Sequence, residues 1–270
     1  MSANAEKPET QRVETPCVET TASAELAQSA PTSQSVRRKP IIDRVAVLSF
    51  GLAWVAALFR LAPQLDDNVL IIAGPVGILG GYLVADFLAG TVHWLADRYF
   101  DPRTPILGPM LIAPFREHHK DPMSISRHDF FEVSGNSALV SLPLPLLLFA
   151  LPASDAPASI AMSALAIFGL SLSLASVATN LFHGWAHAES PPRLSRWLQR
   201  LGLILTPDGH ALHHNVRVTE AAQSAAELGG HDRAYCVTSG WLNPLLDRIH
   251  FFERIEQRIP PASTRPATTD

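Results

Sequence analysis

The sequence predicts an all-α, multi-pass membrane protein with about four transmembrane helices. Two observations carry that prediction. The apolar residues, 47% of the 270, gather in four blocks, and the charged residues lie almost wholly between the blocks. A helix needs roughly 20 mainly apolar residues to cross the hydrocarbon core. Residues 69–94 and 158–182 meet that length comfortably, residues 44–61 meet it marginally, and residues 138–151 are short and interrupted by Pro143 and Pro145. For the short block, a buried core helix or a re-entrant hairpin with the fourth block are the alternatives to a full span.

The ends of the chain read differently. Residues 1–36 are rich in Ala, Ser, Thr, Glu and Gln with almost no bulky apolar residues. Such a stretch cannot bury enough surface to offset its ordering entropy, so a disordered tail is expected there. It also lacks the basic and apolar regions of a secretory signal. The expected organisation is a tail over 1–36, a membrane domain over 37–260 and a flexible C-terminal tail over 261–270.

Basic residues set an orientation by the positive-inside rule. Arg37, Arg38, Lys39 and Arg44 precede the first span, and only Arg60 follows it before the second. Arg98, Arg103, Arg116, Lys120 and Arg127 follow the second span, the connection around Asp155 has none, and the C-terminal region is again arginine-rich. Both termini and the long central loop are therefore expected on the cytoplasmic side. The net charge of −4, without a basic aromatic stretch, argues against a nucleic-acid partner. Cys17 and Cys236 form neither a disulfide framework nor a CxxC metal pair.

That orientation places all eleven histidines at the cytoplasmic end of a span or in a cytoplasmic segment. His93 closes the second span, His118 and His119 follow in the loop, and His183 and His187 end the fourth span. His210, His213 and His214 then form an HxxHH group, with His231 further along. Helix positions three and four apart share a face, so His183 with His187, and His210 with His213 and His214, would point together. Thr206-Pro207-Asp208 is a helix start, which puts HxxHH in its opening turns. His93 and Asp97 also share a face, and Asp97 is expected to orient the site by hydrogen bonding to its ligands.

Singly, a histidine at a span end or an adjacent pair in a loop is commonly an interfacial or solvated residue. Together on one membrane face these groups point to metal ligation. Imidazole suits iron, copper and zinc. One zinc ion needs about four ligands, and nine candidates suit two metals better than one. His128 and His250 lack such partners and stand outside the set; residues 245–251 around His250 read as an amphipathic helix.

At these motifs the sequence resembles the lipid desaturase family, which includes plasmanylethanolamine desaturases and related plant plastid-lipid desaturases. The resemblance rests on ADFLAGTVHWLAD (85–97), PFREHHKDP (114–122), RHDFFEVSGN (127–136), HGWAH, HALHH and YCVTSGWLN (235–243), and covers roughly residues 80–255. It implies a membrane enzyme with two irons that uses O₂ to introduce a double bond into a lipid chain. The closest implied reaction converts the 1-O-alkyl chain of an ether phospholipid to a vinyl ether. The implied iron ligands are His93, His118, His119, His183, His187, His210, His213, His214 and His231. One departure is the stretch 215–230, longer than the family leads one to expect, which separates His231 from HxxHH.

Desaturating an unactivated C–H bond needs an oxidant beyond acid–base chemistry, so O₂ must be activated at the metal. No GxGxxG, haem CxxCH or iron–sulfur cysteine run is present, so a separate ferredoxin- or cytochrome b5-like donor is expected. Residues 193–205 carry Leu194, Trp197, Leu198 and Leu201 on one side and Arg193, Arg196 and Arg200 on another, the pattern of an interfacial helix or of a soluble packing helix. The rival readings are a fatty-acyl desaturase or a di-iron lipid hydroxylase, which histidine spacing does not separate, and a membrane metal transporter. Against the transporter, Asp86 is the main ionisable residue within a span. A zinc protease lacks its HExxH.

Overall fold

A computed structural model describes residues 40–65, 67–152, 159–214 and 233–261, all in one unit, Arg38–Asp270. Its regular elements are helical. The order is α1 (Pro40–Leu61), α2 (Asp67–Arg98), α3 (Ala113–Lys120), α4 (Phe130–Ser141), α5 (Pro143–Ala150), α6 (Ile160–His187), α7 (Arg193–Arg200), α8 (Pro207–His214), α9 (Asn243–Arg248) and α10 (Phe251–Arg258).

Among the described residues, three helices are long and apolar enough to cross a membrane, or four if the bent pair α4 and α5 makes one span. Their outer faces carry large apolar side chains in the open: Leu52 is 73% exposed, Phe59 74%, Ile71 74% and Val140 74%. Apolar exposure on that scale is what lipid, rather than water, accommodates. The third block begins earlier than its apolar run suggests. Asp129 caps α4 by accepting from the N–H groups of Phe131 and Glu132, and the Glu132 carboxylate accepts from the Asp129 N–H. This reciprocal cap starts the helix eight residues before 138. The polar residues that hid it face protein: Ser134 is buried, Asn136 donates to Met110 O at 2.9 Å, and Asn180 donates to Ser137 Oγ at 3.0 Å. At Pro143 the path bends by 45°, as a ring that cannot donate requires.

α2 and α6 run side by side as the centre of the bundle. Small residues permit it: a Cβ on Gly77 would lie 2.8 Å from Ile167 Cβ, and one on Gly81 2.7 Å from Leu172 N. This is the small-xxx-small contact that lets membrane helices approach closely. Trp54 of α1 donates to Leu170 O at 2.9 Å, and Arg60 closes the C-terminal carbonyls of α5 through Phe149 O and Leu151 O. At the other end of the bundle, α10 is fastened to α2 through Glu256, which accepts from Trp94 Nε1 at 2.7 Å and from both arms of Arg98.

The segment 234–243 is tied to the bundle by Asp86 of α2, which is fully buried. One carboxylate oxygen accepts from the N–H groups of Thr238, Ser239 and Gly240 at 2.8–3.1 Å, and the other faces the Leu242 N–H at 3.4 Å. An intramembrane carboxylate is thus engaged by backbone donors, which gives it a structural task rather than a place on an ion pathway.

Candidate metal centre

The ends of α2 and α6, with α3 and α8, bring eight of the nine expected histidines together; His231 lies outside the described residues. Two groups form. His118, His183, His187, His210 and His214 make the first, and His93, Asp97, His119 and His213 the second, with the ligand atoms of each group within 4.8 Å of one another. The adjacent His118 and His119 divide between the groups. The groups adjoin, since the His118 ring lies 4.4 Å from that of His119 and 5.5 Å from that of His93.

The local sequence explains each placement. His183 and His187 lie one turn apart on α6, and His183 is buried. α8 begins at Pro207, as its sequence predicts, and projects His210, His213 and His214 inward, all buried. Arg116 of α3 closes the end of α2, donating to Phe100 O at 2.6 Å and to Ala96 O and Asp97 O at 3.3 Å. Cationic closure of these carbonyls fixes the backbone that carries Asp97.

Within the first group, His210 Nε2 lies 2.8 Å from His183 Nε2 and 3.0 Å from His214 Nε2. In the second, His213 Nε2 lies 3.3 Å from His119 Nε2, and Asp97 Oδ2 lies 3.1 Å from His119, 3.4 Å from His93 and 3.5 Å from His213. A neutral imidazole has one N–H, so three facing nitrogens around His210 cannot satisfy one another by protons alone. Buried His93 Nδ1 and Nε2, His118 Nε2, His183 Nδ1, His187 Nε2, His210 Nδ1 and Asp97 Oδ1 have no hydrogen-bond partner; the 3.4 Å approach of His93 Nε2 to Asp97 lacks hydrogen-bond geometry. Two nitrogens at the usual metal–imidazole length of about 2.1 Å stand roughly 3.0–3.4 Å apart around one ion. The spacings of 3.0 and 3.3 Å fall within that range, and the 2.8 Å between His183 and His210 lies just below it.

Electrostatics agree. Burial, reinforced by His119, His187 and His213, lowers the His118 pKa to about 3. Burial and the neighbouring rings lower His214 to about 2, and hold His210 well below the ordinary histidine value. These rings are neutral at physiological pH, the form that ligates a metal. His213 Nδ1 donates to Arg233 O at 2.8 Å, which leaves Nε2 bare toward the group.

His128 and His250 stay out. Both are exposed and pair with carboxylates in the first turns of the helices that follow them, Glu132 at 3.2 Å and Glu253 at 2.7 Å. The expectation for residues 245–251 needs correction: α9 ends at Arg248, and His250 has a left-handed φ of 52° between α9 and α10. The turn reverses the chain so that Phe252 packs on Trp94 and Tyr235. Sequence reasoning also missed Tyr235, which is buried with its ring 5.0 Å from that of His213 and 5.9 Å from that of His93. Its place next to Cys236 in YCVTSGWLN was the available signal.

Among known proteins, the chain is 39% identical over 222 residues to the plasmanylethanolamine desaturase of Myxococcus xanthus, covering 81% of this chain and 71% of that one. It is 37% identical over 187 residues to plasmanylethanolamine desaturase 1 of Mus musculus, covering 68% of this chain and 64% of that one. It is 29% identical over 194 residues to fatty acid desaturase 4, chloroplastic, of Arabidopsis thaliana, covering 70% of this chain and 53% of that one. No solved structure matches. The lipid desaturase domain matches residues 82–267, a stretch that contains both groups. An all-helical bundle with spanning helices and a buried histidine centre is what a membrane oxidoreductase of this kind requires, and the chain belongs to the lipid desaturase family.

Proposed function

We propose that this protein is a plasmanylethanolamine desaturase, forming the vinyl ether bond of plasmalogens. The observation that carries the reading is the 39% identity over 222 residues to a relative bearing that name, against 29% to the plant fatty acid desaturase. Two irons would be held by the two histidine groups, with Asp97 beside or on the second and His231 as the ninth imidazole. Iron bound there supplies the oxidising power that side chains lack, using O₂ as co-substrate. The reaction removes two hydrogens from adjacent carbons, consumes one O₂, two protons and two electrons, and releases two waters.

The protein's own residues set the conditions for that chemistry. Burial keeps the His118, His210 and His214 rings neutral and excludes bulk water. The Arg233 carbonyl holds His213 in one tautomer. Arg116 fixes the turn of helix that presents Asp97. The partly exposed side chains of the centre are His119, at 23%, Asp97, at 12%, and His187. These partly exposed side chains are where protons from solvent reach the centre.

Electrons come from a separate ferredoxin- or cytochrome b5-like protein. The termini and the histidine centre face the cytoplasm, a reading supported by the distribution of basic residues along the chain. The catalytic unit spans 37–260, between tails at 1–36 and 261–270.

The decisive experiment is expression in a host without ether-lipid desaturation, supplied with an alkyl-ether phospholipid, followed by assay of acid-labile vinyl ethers. Vinyl ether product is expected. Iron-loaded protein that yields none, but desaturates acyl chains, would replace the ether-lipid reading with the fatty-acyl one; a gain of one oxygen would mark a hydroxylase. Many turnovers by purified protein without a reductant would overturn the external donor.

A further inference from the structure

The segments on either side of the histidine helix α8 share an unusual combination of features. Leu201, Leu203 and Trp241 are 54%, 39% and 42% exposed, and Leu245 and Ile249 continue the Trp241 stripe at 56% and 39%. Their backbone, by contrast, is closed off. Gly202 O accepts from Trp241 Nε1 at 2.6 Å, Leu203 O from the Tyr82 hydroxyl, and Leu205 O from Gln199 Nε2 at 3.1 Å. Leu205 N–H donates to Thr238 O at 3.0 Å, Asn243 exchanges bonds with the Cys236 backbone, and Asp86 takes the N–H groups of 238–240. Water would satisfy such loop groups without help. Side chains must do so where water is absent, because irregular backbone is tolerated at membrane depth only when its polar groups are met by protein.

The anchor points give the depth. Tyr82 and Asp86 lie within the span Leu70–Arg98, eleven and seven residues before His93. At 1.5 Å per residue those are roughly 16 and 10 Å along the axis from His93 toward the bilayer interior. Tyr82 also stacks edge-on against Trp241 at 5.6 Å.

Helix α7 has a matching cross-section. Ser195 is buried against the protein; Leu194, Trp197 and Leu201 form one exposed sector; Arg193, Arg196 and Arg200 form another. At about 100° per residue the three sectors lie roughly a third of a turn apart, the arrangement of a helix lying along the interface with protein, hydrocarbon and headgroups on its three sides.

We propose that α7, the loop 201–205 and the segment 236–249 form a re-entrant wedge, immersed in the leaflet on the histidine side, whose arginines engage anionic lipid headgroups. The wedge is continuous with α8, so the lipid surface holds the histidine centre at a set depth. The inference rests on the membrane placement of the helices and is independent of the substrate.

Spin labels on full-length, iron-loaded protein in nanodiscs test it. Leu203→Cys and Leu194→Cys are made in a Cys17→Ser background, with exposed Arg103→Cys as the aqueous reference and O₂ and a water-soluble nickel chelate as the collision probes. Labels at 203 and 194 should meet O₂ more than nickel, 203 most strongly, and 103 the reverse. Nickel access at 203 equal to that at 103 would overturn the wedge, and exclusion of both probes would mean that a protein surface covers it, which overturns it equally. For the headgroups, phosphatidylglycerol added to phosphatidylcholine should shift the 194 label deeper in the parent. The triple variant Arg193→Gln, Arg196→Gln, Arg200→Gln should lose that shift. An identical shift in the triple variant would remove the arginines from the proposal. Retained iron content in each labelled protein shows that it is folded.

Discussion

The five-histidine group and the Asp97 group adjoin, yet they differ in charge, burial and origin. The first is built by α3, α6 and α8 from neutral imidazoles, mostly buried. The second joins three imidazoles to a carboxylate and contains the exposed edge at His119. An ion held by imidazole alone keeps its full charge, whereas Asp97 cancels one unit. Under the two-iron reading, the Asp97 position suits the harder, more highly charged ion. The two positions are therefore chemically unequal although most of their ligands are the same residue type.

Removing a central ligand from the first group should have the largest effect. His187→Ala and His214→Ala should each reduce product to background and lower bound iron, read by lipid mass spectrometry and metal analysis. Full activity in the His214 variant would overturn the ligand set. Asp97→Asn comes next. It preserves shape while removing the charge, and a loss of about 10–100-fold in metal affinity is expected if Asp97 supports its histidines by hydrogen bonding. Iron content should fall from about two per chain toward one, and the remaining iron should be held as tightly as before. Equal loss from both positions would erase the inequality.

α2 carries a second carboxylate with a different task. Asp86 meets backbone donors and Asp97 meets imidazoles. Asp86→Ala leaves several buried N–H groups without an acceptor, at about 1–3 kcal/mol each before relaxation. A large fall in thermal stability should follow. Asp86→Asn keeps an acceptor oxygen and should recover much of the loss, while Asp97→Asn should leave the stability of the iron-free protein nearly unchanged. Melting curves of the variants separate a structural carboxylate from a site carboxylate. Similar curves for Asp86→Ala and the parent would deny Asp86 its clamp role.

Much of this was legible in the sequence because the controlling physics is local. Apolar runs marked α1, α2 and α6, Thr206-Pro207 marked the start of α8, and the three- and four-residue spacing put its histidines on one face. The start of α4 was not legible, since Ser134 and Asn136 look like surface residues until their burial and partners are known. Nor was the division of His118 from His119, which depends on how α3 meets α2 and α6. Spacing revealed that Asp97 shares a face with His93 but not that its oxygen lies within 3.5 Å of three imidazoles. Those facts come from helix packing, which no local pattern encodes.

The smallest effect belongs to a histidine outside both groups, and it limits the comparison from the other side. His250 is exposed, pairs with Glu253 and occupies a left-handed turn at φ 52°. His250→Ala should leave iron content and activity close to the parent. Its cost should appear only in stability and stay below about 1 kcal/mol, because alanine carries the same Cβ into the left-handed turn and loses just the exposed contact to Glu253. His250→Gly relieves the strain and should melt no lower than His250→Ala, despite losing the Glu253 contact. A glycine variant that melts well below the alanine one would show that side-chain contacts, rather than backbone conformation, govern the turn that brings Phe252 beneath Trp94 and Tyr235. Loss of iron in either variant would extend the centre's supporting residues to α10.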